Sequence, residues 1–165
     1  MAADRIPNPG VRFPPPLLLV AGFVAGWLLH RALPLVIPGG RTPITSGIGW
    51  LLIAAGSVVA AAGLITFFRH RTGILPHTPA SRLVTGGPYR FTRNPMYVGL
   101  TTMYVGLSLL TGMIWPLLTL PIALVALWAL VIRREERYLA SEFGEEYERY
   151  RAAVPRWLPR RRGWP

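Results

Sequence analysis

Two tyrosines, an asparagine and a pair of adjacent glutamates are the side chains of this 165-residue sequence whose types and positions could do chemistry. Tyr89 and Tyr97 offer aromatic faces that attract a cation by about 0.5 to 2 kcal/mol. Asn94 combines a donor and an acceptor in one uncharged amide. Glu135 and Glu136 supply negative charge. Neighbouring residues of a helix point about 100° apart, so only one of these carboxylates can comfortably face a pocket. Arg90, Arg93, Arg133 and Arg134 could each pair with an acidic group of a ligand, or equally contact lipid phosphates.

Simpler roles exist for the same residues. A tyrosine at a membrane boundary can be an interfacial anchor. Asn94-Pro95 reads as a helix start, because Asn caps and Pro is preorganised at the first helical position. The two glutamates could be a solvated pair supported by Arg133 or Arg137. Other chemistries are disfavoured outright. With no cysteine there is no disulfide, thiolate zinc site or cysteine nucleophile. His70 and His77 have no partner at metal-ligand spacing, so no metal is expected. No glycine-rich phosphate loop follows a strand, and no soluble dinucleotide-binding pattern is present.

The elements that must position these side chains are apolar helices. Hydrophobic residues make up 52% of the chain, and the mean hydropathy is +0.37. Apolar runs at 16–37, 44–68, 96–110 and 113–132 predict four transmembrane helices in an all-α polytopic membrane protein. The first lacks the compact basic start and cleavage site of a removable signal and reads as a retained anchor. Gly47, Gly49, Gly56 and Gly63 in the second would let a neighbouring helix approach closely. Only Thr111 and Gly112 separate the third and fourth, which predicts a tight helical hairpin. Beyond Arg133, Leu139, Phe143, Tyr147, Tyr150 and Val154 recur every three or four residues, the pattern of an amphipathic C-terminal helix.

The formal charge of +11 comes from 18 arginines and no lysine. Four crossings place 2, 5 and 9 arginines in the N-terminal segment, the 69–95 loop and the tail, against 2 and 0 in the opposite loops. The positive-inside rule makes the arginine-rich side cytoplasmic, with both termini and the candidate site on it. Clusters between and after apolar runs suit membrane lipids and disfavour nucleic acid as a partner. The expected organisation is one membrane domain over 1–165: N-terminal helices at 1–71, a site-bearing region at 72–155, and a basic tail at 156–165.

The ordered set Gly87-Pro88-Tyr89-Arg90, Arg93-Asn94-Pro95-Met96-Tyr97, Glu135-Glu136 and Phe143-Gly144-Glu145-Glu146-Tyr147 resembles the isoprenylcysteine carboxyl methyltransferase family, in its bacterial form. Phospholipid methyltransferases are more distant kin with a similar C-terminal half. The resemblance covers about 72–155. It implies an S-adenosyl-L-methionine-dependent methyltransferase in the cytoplasmic (inner) membrane of a bacterium, acting on a lipophilic membrane-borne acceptor.

That cofactor presents an adenine face, ribose hydroxyls, an ammonium, a carboxylate and a sulfonium, and a site must answer each. The resemblance assigns its binding to Ser81, Arg82, Leu83, Val84, Tyr89, Asn94, Pro95, Met96, Tyr97 and Glu135. Arg133 and Arg134 are the candidates for the acceptor. Many relatives have His where this chain has Asn94, which suits binding better than proton transfer. Eukaryotic relatives hold the substrate carboxylate with an arginine one turn before the matching glutamate, where this chain has Val131. A carboxylate acceptor is already ionised and is chemically the easiest. Alternatives are a phospholipid amine, a small thiol, or a non-catalytic scaffold that keeps the fold. Oligomeric state is left open.

Overall fold

The computed structural model describes residues 10–11, 13–69 and 82–157. Five helices follow in order: α1 (Pro16–Ala32), α2 (Pro43–Arg69), α3 (Pro95–Thr111), α4 (Ile114–Leu127) and α5 (Arg133–Ala153). Among the described residues there is no strand, only an isolated bridge between Val36 and Met113.

α1 stops at Ala32 rather than at the expected limit of 37. Leu33 precedes a proline, which disfavours helical backbone, and it is extended at φ −137° and ψ 93°. The chain after it runs to the α3–α4 turn. Ile37 N donates to Gly112 O at 2.9 Å, and Trp115 Nε1 donates to Leu33 O at 2.7 Å.

α2 spans 27 residues, and only 11% of its most apolar window is buried. Its buried residues are Gly49, Gly56 and Gly63, seven apart on one face. Large side chains such as Trp50, Leu51, Val58 and Phe68 point outward. In water this arrangement would be inside out; in a bilayer it is the stable one. α2 and the apolar part of the helix beginning at Ile114 are long enough to cross a membrane, while α1 is a shorter apolar helix of 17 residues. The chain is a membrane protein.

Small residues decide which helices meet. α2 packs on α3, and a Cβ built at Gly56 would lie 2.5 Å from the Gly99 carbonyl oxygen. Gly47, expected to serve the same contact, has nothing within 4 Å. α1 packs on α4 through Gly22 and Gly26, which lie against Ala123 and Pro116. The α3–α4 turn is as short as expected, with Gly112 left-handed at φ 69°. Beyond it the two helices touch only sparingly, because each is held by its N-terminal partner and bulky Leu100, Tyr104 and Leu124 stand where they meet.

α4 passes through a π turn at Trp128–Ile132 into α5. A π turn holds one more residue than an α turn, and here Leu127, Val131 and Ile132 are all fully buried. The expected continuous C-terminal helix is broken. Gly144 sits at φ 50° and ψ −123°, a conformation that side-chain-bearing residues avoid, so the chain changes direction there. The second half of α5 folds back, burying Tyr147, Tyr150 and Val154 beside Leu83.

Candidate active site

The segment before α3 brings the first tyrosine inward. A short 3-10 turn over Gly87–Arg90 begins at Gly87, whose φ of 57° needs glycine and whose missing Cβ leaves room for Thr66 of α2. Tyr89 is buried, with its ring 5.3 Å from that of Phe67. Its carbonyl accepts a 2.8 Å hydrogen bond from the Tyr150 hydroxyl. Its own hydroxyl is buried without a hydrogen-bond partner among the described residues.

Asn94 occupies the cap position of α3, yet its side chain makes no capping bond. Nδ2 instead donates to Arg156 O at 3.0 Å. Thr92 Oγ1 accepts from Asn94 N at 3.2 Å and donates to the same Arg156 carbonyl at 3.0 Å. Pro95 and Met96, the first residues of α3, press against Gly63 of α2. One residue on, Tyr97 turns inward and its hydroxyl donates to Glu135 Oε1 at 3.1 Å.

The two glutamates part as helix geometry requires. Among the described residues Glu135 has no cationic partner, and the Tyr97 hydroxyl is its hydrogen-bond donor. As a residue it is partly exposed, but protein packs around its carboxylate, and this burial pushes it up to about 7. The Tyr97 bond pulls the other way, and the charge of Glu136 adds to the rise. Burial likewise holds the Tyr89 phenol above its usual range, with Tyr150 and Glu135 contributing.

Glu136 is not the solvated partner of Arg133 or Arg137 but the hub of an ion cluster. Arg156 grips it through two bonds, Nε to Oε1 at 2.8 Å and Nη2 to Oε2 at 2.7 Å. Arg93 Nη1 reaches Oε1 at 2.9 Å and also donates to the Tyr147 hydroxyl at 3.1 Å. The cluster ties the loop before α3, the start of α5 and the chain after it together.

Of the expected binding residues, Tyr89, Tyr97 and Glu135 converge, with Asn94 one turn away and Pro95 and Met96 turned to α2. Val84 is buried, Leu83 packs against Tyr147, Tyr150 and Val154, and Arg82 is exposed. Ser81 and most of the expected basic tail lie outside the described residues. Arg133 and Arg134 stand at the start of α5. The first stacks over Trp128 at 5.0 Å, and the second donates to Gly10 O at 3.0 Å. Arg156 is the residue that sequence reasoning passed over, because a run of arginines is ordinarily explained by headgroups.

Where α3 and α4 diverge, a cavity of about 590 Å³ opens between Val98, Thr101 and Thr102 on one side and Leu124, Val125 and Trp128 on the other. Arg156 and Trp157 complete its lining. Thr101 Oγ1 is buried without a partner among the described residues.

Among the described residues the arrangement is therefore a buried carboxylate that lacks a cation, an unpaired phenol, and an apolar cavity bordered by an ion cluster. Comparison with known proteins places it in context. The model of the phospholipid methyltransferase family matches residues 44–146. The chain is 39% identical over 77 residues to protein-S-isoprenylcysteine O-methyltransferase of Schizosaccharomyces pombe, covering 47% of this chain and 33% of that protein. It is 32% identical over 119 residues to a probable protein-S-isoprenylcysteine O-methyltransferase of Oryza sativa subsp. indica, covering 69% and 61%. A cobalt-zinc-cadmium resistance protein of Cupriavidus metallidurans is 37% identical over 78 residues, covering 47% and 36%. The chain spans between about a third and three fifths of the length of these relatives. No solved structure matches it. The family match takes in more than half of the chain, with Tyr89, Asn94, Tyr97 and Glu135 inside it, and the chain belongs to the phospholipid methyltransferase family.

Proposed function

We propose that this chain is an integral membrane methyltransferase that uses S-adenosyl-L-methionine to methylate the carboxylate of a lipophilic acceptor. The observation that carries the reading is Glu135, a buried carboxylate with a tyrosine donor and, among the described residues, no cation. Buried charge is retained only when paired, so the site is built for a positively charged ligand. The cofactor fits that requirement, and the unpaired Tyr89 hydroxyl beside it offers a donor for one of its polar atoms.

The cofactor supplies an electrophilic methyl group on a sulfonium. The chain's own residues bind and orient. Glu135 balances the ammonium or accepts from the ribose, Tyr97 fixes the rotamer of Glu135, and Tyr89 contributes its aromatic face and hydroxyl. Asn94 holds the chain at Arg156 and keeps its amide oxygen as an acceptor. Ser81, Arg82, Leu83 and Val84 form the remaining edge. The names of the relatives support a prenylated, carboxylate-bearing acceptor, and such a group needs no proton removed at neutral pH.

In this reading α1 to α4 all cross the bilayer, the site faces the cytoplasm, and the protein resides in the inner membrane of a bacterium. The arginine distribution supports that orientation. The family's description favours one second reading, a phospholipid amine as acceptor.

Calorimetric titration of detergent-purified protein with S-adenosylmethionine and S-adenosylhomocysteine tests the cofactor. Saturable binding that is lost in Glu135→Ala is the expected result; a folded wild type that binds neither overturns the reading. Methyl transfer from labelled cofactor to S-farnesylcysteine, set against phosphatidylethanolamine, then separates carboxylate from amine.

A further inference from the structure

We propose that Arg156 reads the head of the acceptor: its guanidinium borders the apolar cavity between α3 and α4 and carries the positive charge that an acceptor carboxylate balances. This inference rests on the methyltransferase reading above and adds to it a residue that determines specificity. It concerns a part of the chain that the family match, ending at 146, does not include.

Charge is the first ground. Arg93 and Arg156 share one carboxylate, Glu136, so the cluster keeps one net positive charge. Arg93 and Glu136 are largely covered, with side chains 10% and 15% exposed, whereas that of Arg156 is 34% exposed and lines the cavity. The excess charge is thus presented by Arg156. Its bonds to Glu136 use Nε and Nη2, leaving Nη1 with no acceptor among the described residues. A guanidinium N–H bound to a carboxylate is a charge-assisted hydrogen bond, about twice as strong as a neutral one.

Position is the second. The Arg156 carbonyl is held by both Asn94 and Thr92, and its guanidinium by the residue next to Glu135. One residue therefore touches the cavity, the loop that leads to Tyr97 and the first turn of α5. An anionic head held at Nη1 lies beside the candidate cofactor site, where a methyl acceptor has to be.

The cavity itself is the third. Its volume of about 590 Å³ falls within the range of about 300 to 1,000 Å³ typical of small-molecule pockets. Valine, leucine and tryptophan side chains form most of its wall. The occupant that matches is a single apolar chain with a carboxylate at its end.

The test uses full-length protein in detergent, saturated with S-adenosylhomocysteine, and titrates N-acetyl-S-farnesylcysteine against its carboxamide. Trp128 and Trp157 line the cavity and give a fluorescence readout. Wild type should bind the carboxylate at least about tenfold more tightly than the amide. In Arg156→Gln that preference should fall to within about twofold, and Arg156→Lys should restore part of it, while affinity for S-adenosylhomocysteine is unchanged. Val125→Trp, which fills the cavity from an exposed position on α4, should weaken both probes and serves as the second variant if Arg156→Gln does not fold. A preference that survives in Arg156→Gln, absence of any preference in wild type, or unweakened probe binding in Val125→Trp overturns the proposal. So does displacement of the probe by phosphatidylglycerol at equal concentration, which would make a membrane lipid the occupant. Loss of S-adenosylhomocysteine binding by wild type, in contrast, sinks the methyltransferase reading itself.

Discussion

The Tyr97 hydroxyl donates to Glu135 Oε1 at 3.1 Å and so joins the first turn of α3 to the first turn of α5. A phenol can orient a carboxylate but cannot neutralise it. Glu136, one residue on, has two arginines, while Glu135 has none among the described residues. Neighbours on one helix thus have opposite fates. One carboxylate is consumed by structure, and the other is kept short of a cation.

This difference makes cofactor affinity depend on pH. Burial raises Glu135 to about 7 in the free protein, and a bound cation favours the ionised form. Binding below about pH 7 must therefore release a proton, so affinity falls as the pH drops through that value and is flat above it. Between pH 8 and pH 6 the dissociation constant for S-adenosylhomocysteine should rise by about tenfold. Glu135→Gln should bind more weakly at pH 8 and show no such slope. A wild-type slope of the opposite sign would show that Glu135 does not bind as the anion.

Tyr97→Phe should act through the same carboxylate. Removing the hydroxyl deletes one hydrogen bond to a charged group, a loss of about 1.5 to 3 kcal/mol where the ligand depends on that charge. It also removes the influence that pulls the Glu135 pKa down, so the midpoint of the pH dependence should move upward. Titrations of wild type and variant across pH separate the two effects. A weaker affinity with an unmoved midpoint would mean that Tyr97 touches the ligand without tuning Glu135.

Glu136→Gln should damage stability more than chemistry. Its carboxylate holds Arg93 and Arg156 together, and the substitution leaves the covered Arg93 and the partly exposed Arg156 without their counter-charge. Breaking a buried pair costs roughly 3 to 5 kcal/mol; partial exposure puts this one nearer 2. Thermal unfolding in detergent should shift down by several degrees, whereas Glu135→Gln should leave the midpoint unchanged or raise it. Equal shifts for the two variants would contradict the separate roles.

The apolar runs were legible because a bilayer imposes length and composition on every span, and α2 follows its run within a residue. The pairing of helices was less so. Gly49, Gly56 and Gly63 mark a contact face in the sequence, but nothing local says that α3, rather than another helix, lies on it. Glu135 and Tyr97 stand out through the motifs that hold them; that they bond to each other depends on the π turn and on how α3 meets α4, both tertiary outcomes. Arg156 was hidden for a related reason. Its role arises only when Gly144 breaks the helix and the chain folds back onto Thr92 and Asn94.

The same packing logic gives a prediction far from the chemistry. A side chain at Gly56 would meet the Gly99 carbonyl oxygen at 2.5 Å and the Met103 backbone nitrogen at 2.9 Å, so α2 and α3 would have to separate. Overpacking of this kind costs about 1 to 3 kcal/mol. Gly47 faces open space on the same helix, where a leucine would meet lipid and improve helix propensity by up to about 1 kcal/mol. Gly56→Leu should therefore lower the unfolding temperature in detergent, and Gly47→Leu should not. Because Tyr89 packs on Phe67 of α2, displacing that helix should also weaken S-adenosylhomocysteine binding in Gly56→Leu alone. If both leucines are tolerated equally, the glycine face is not what holds α2 to α3, and the path from α2 to the site through Phe67 fails with it.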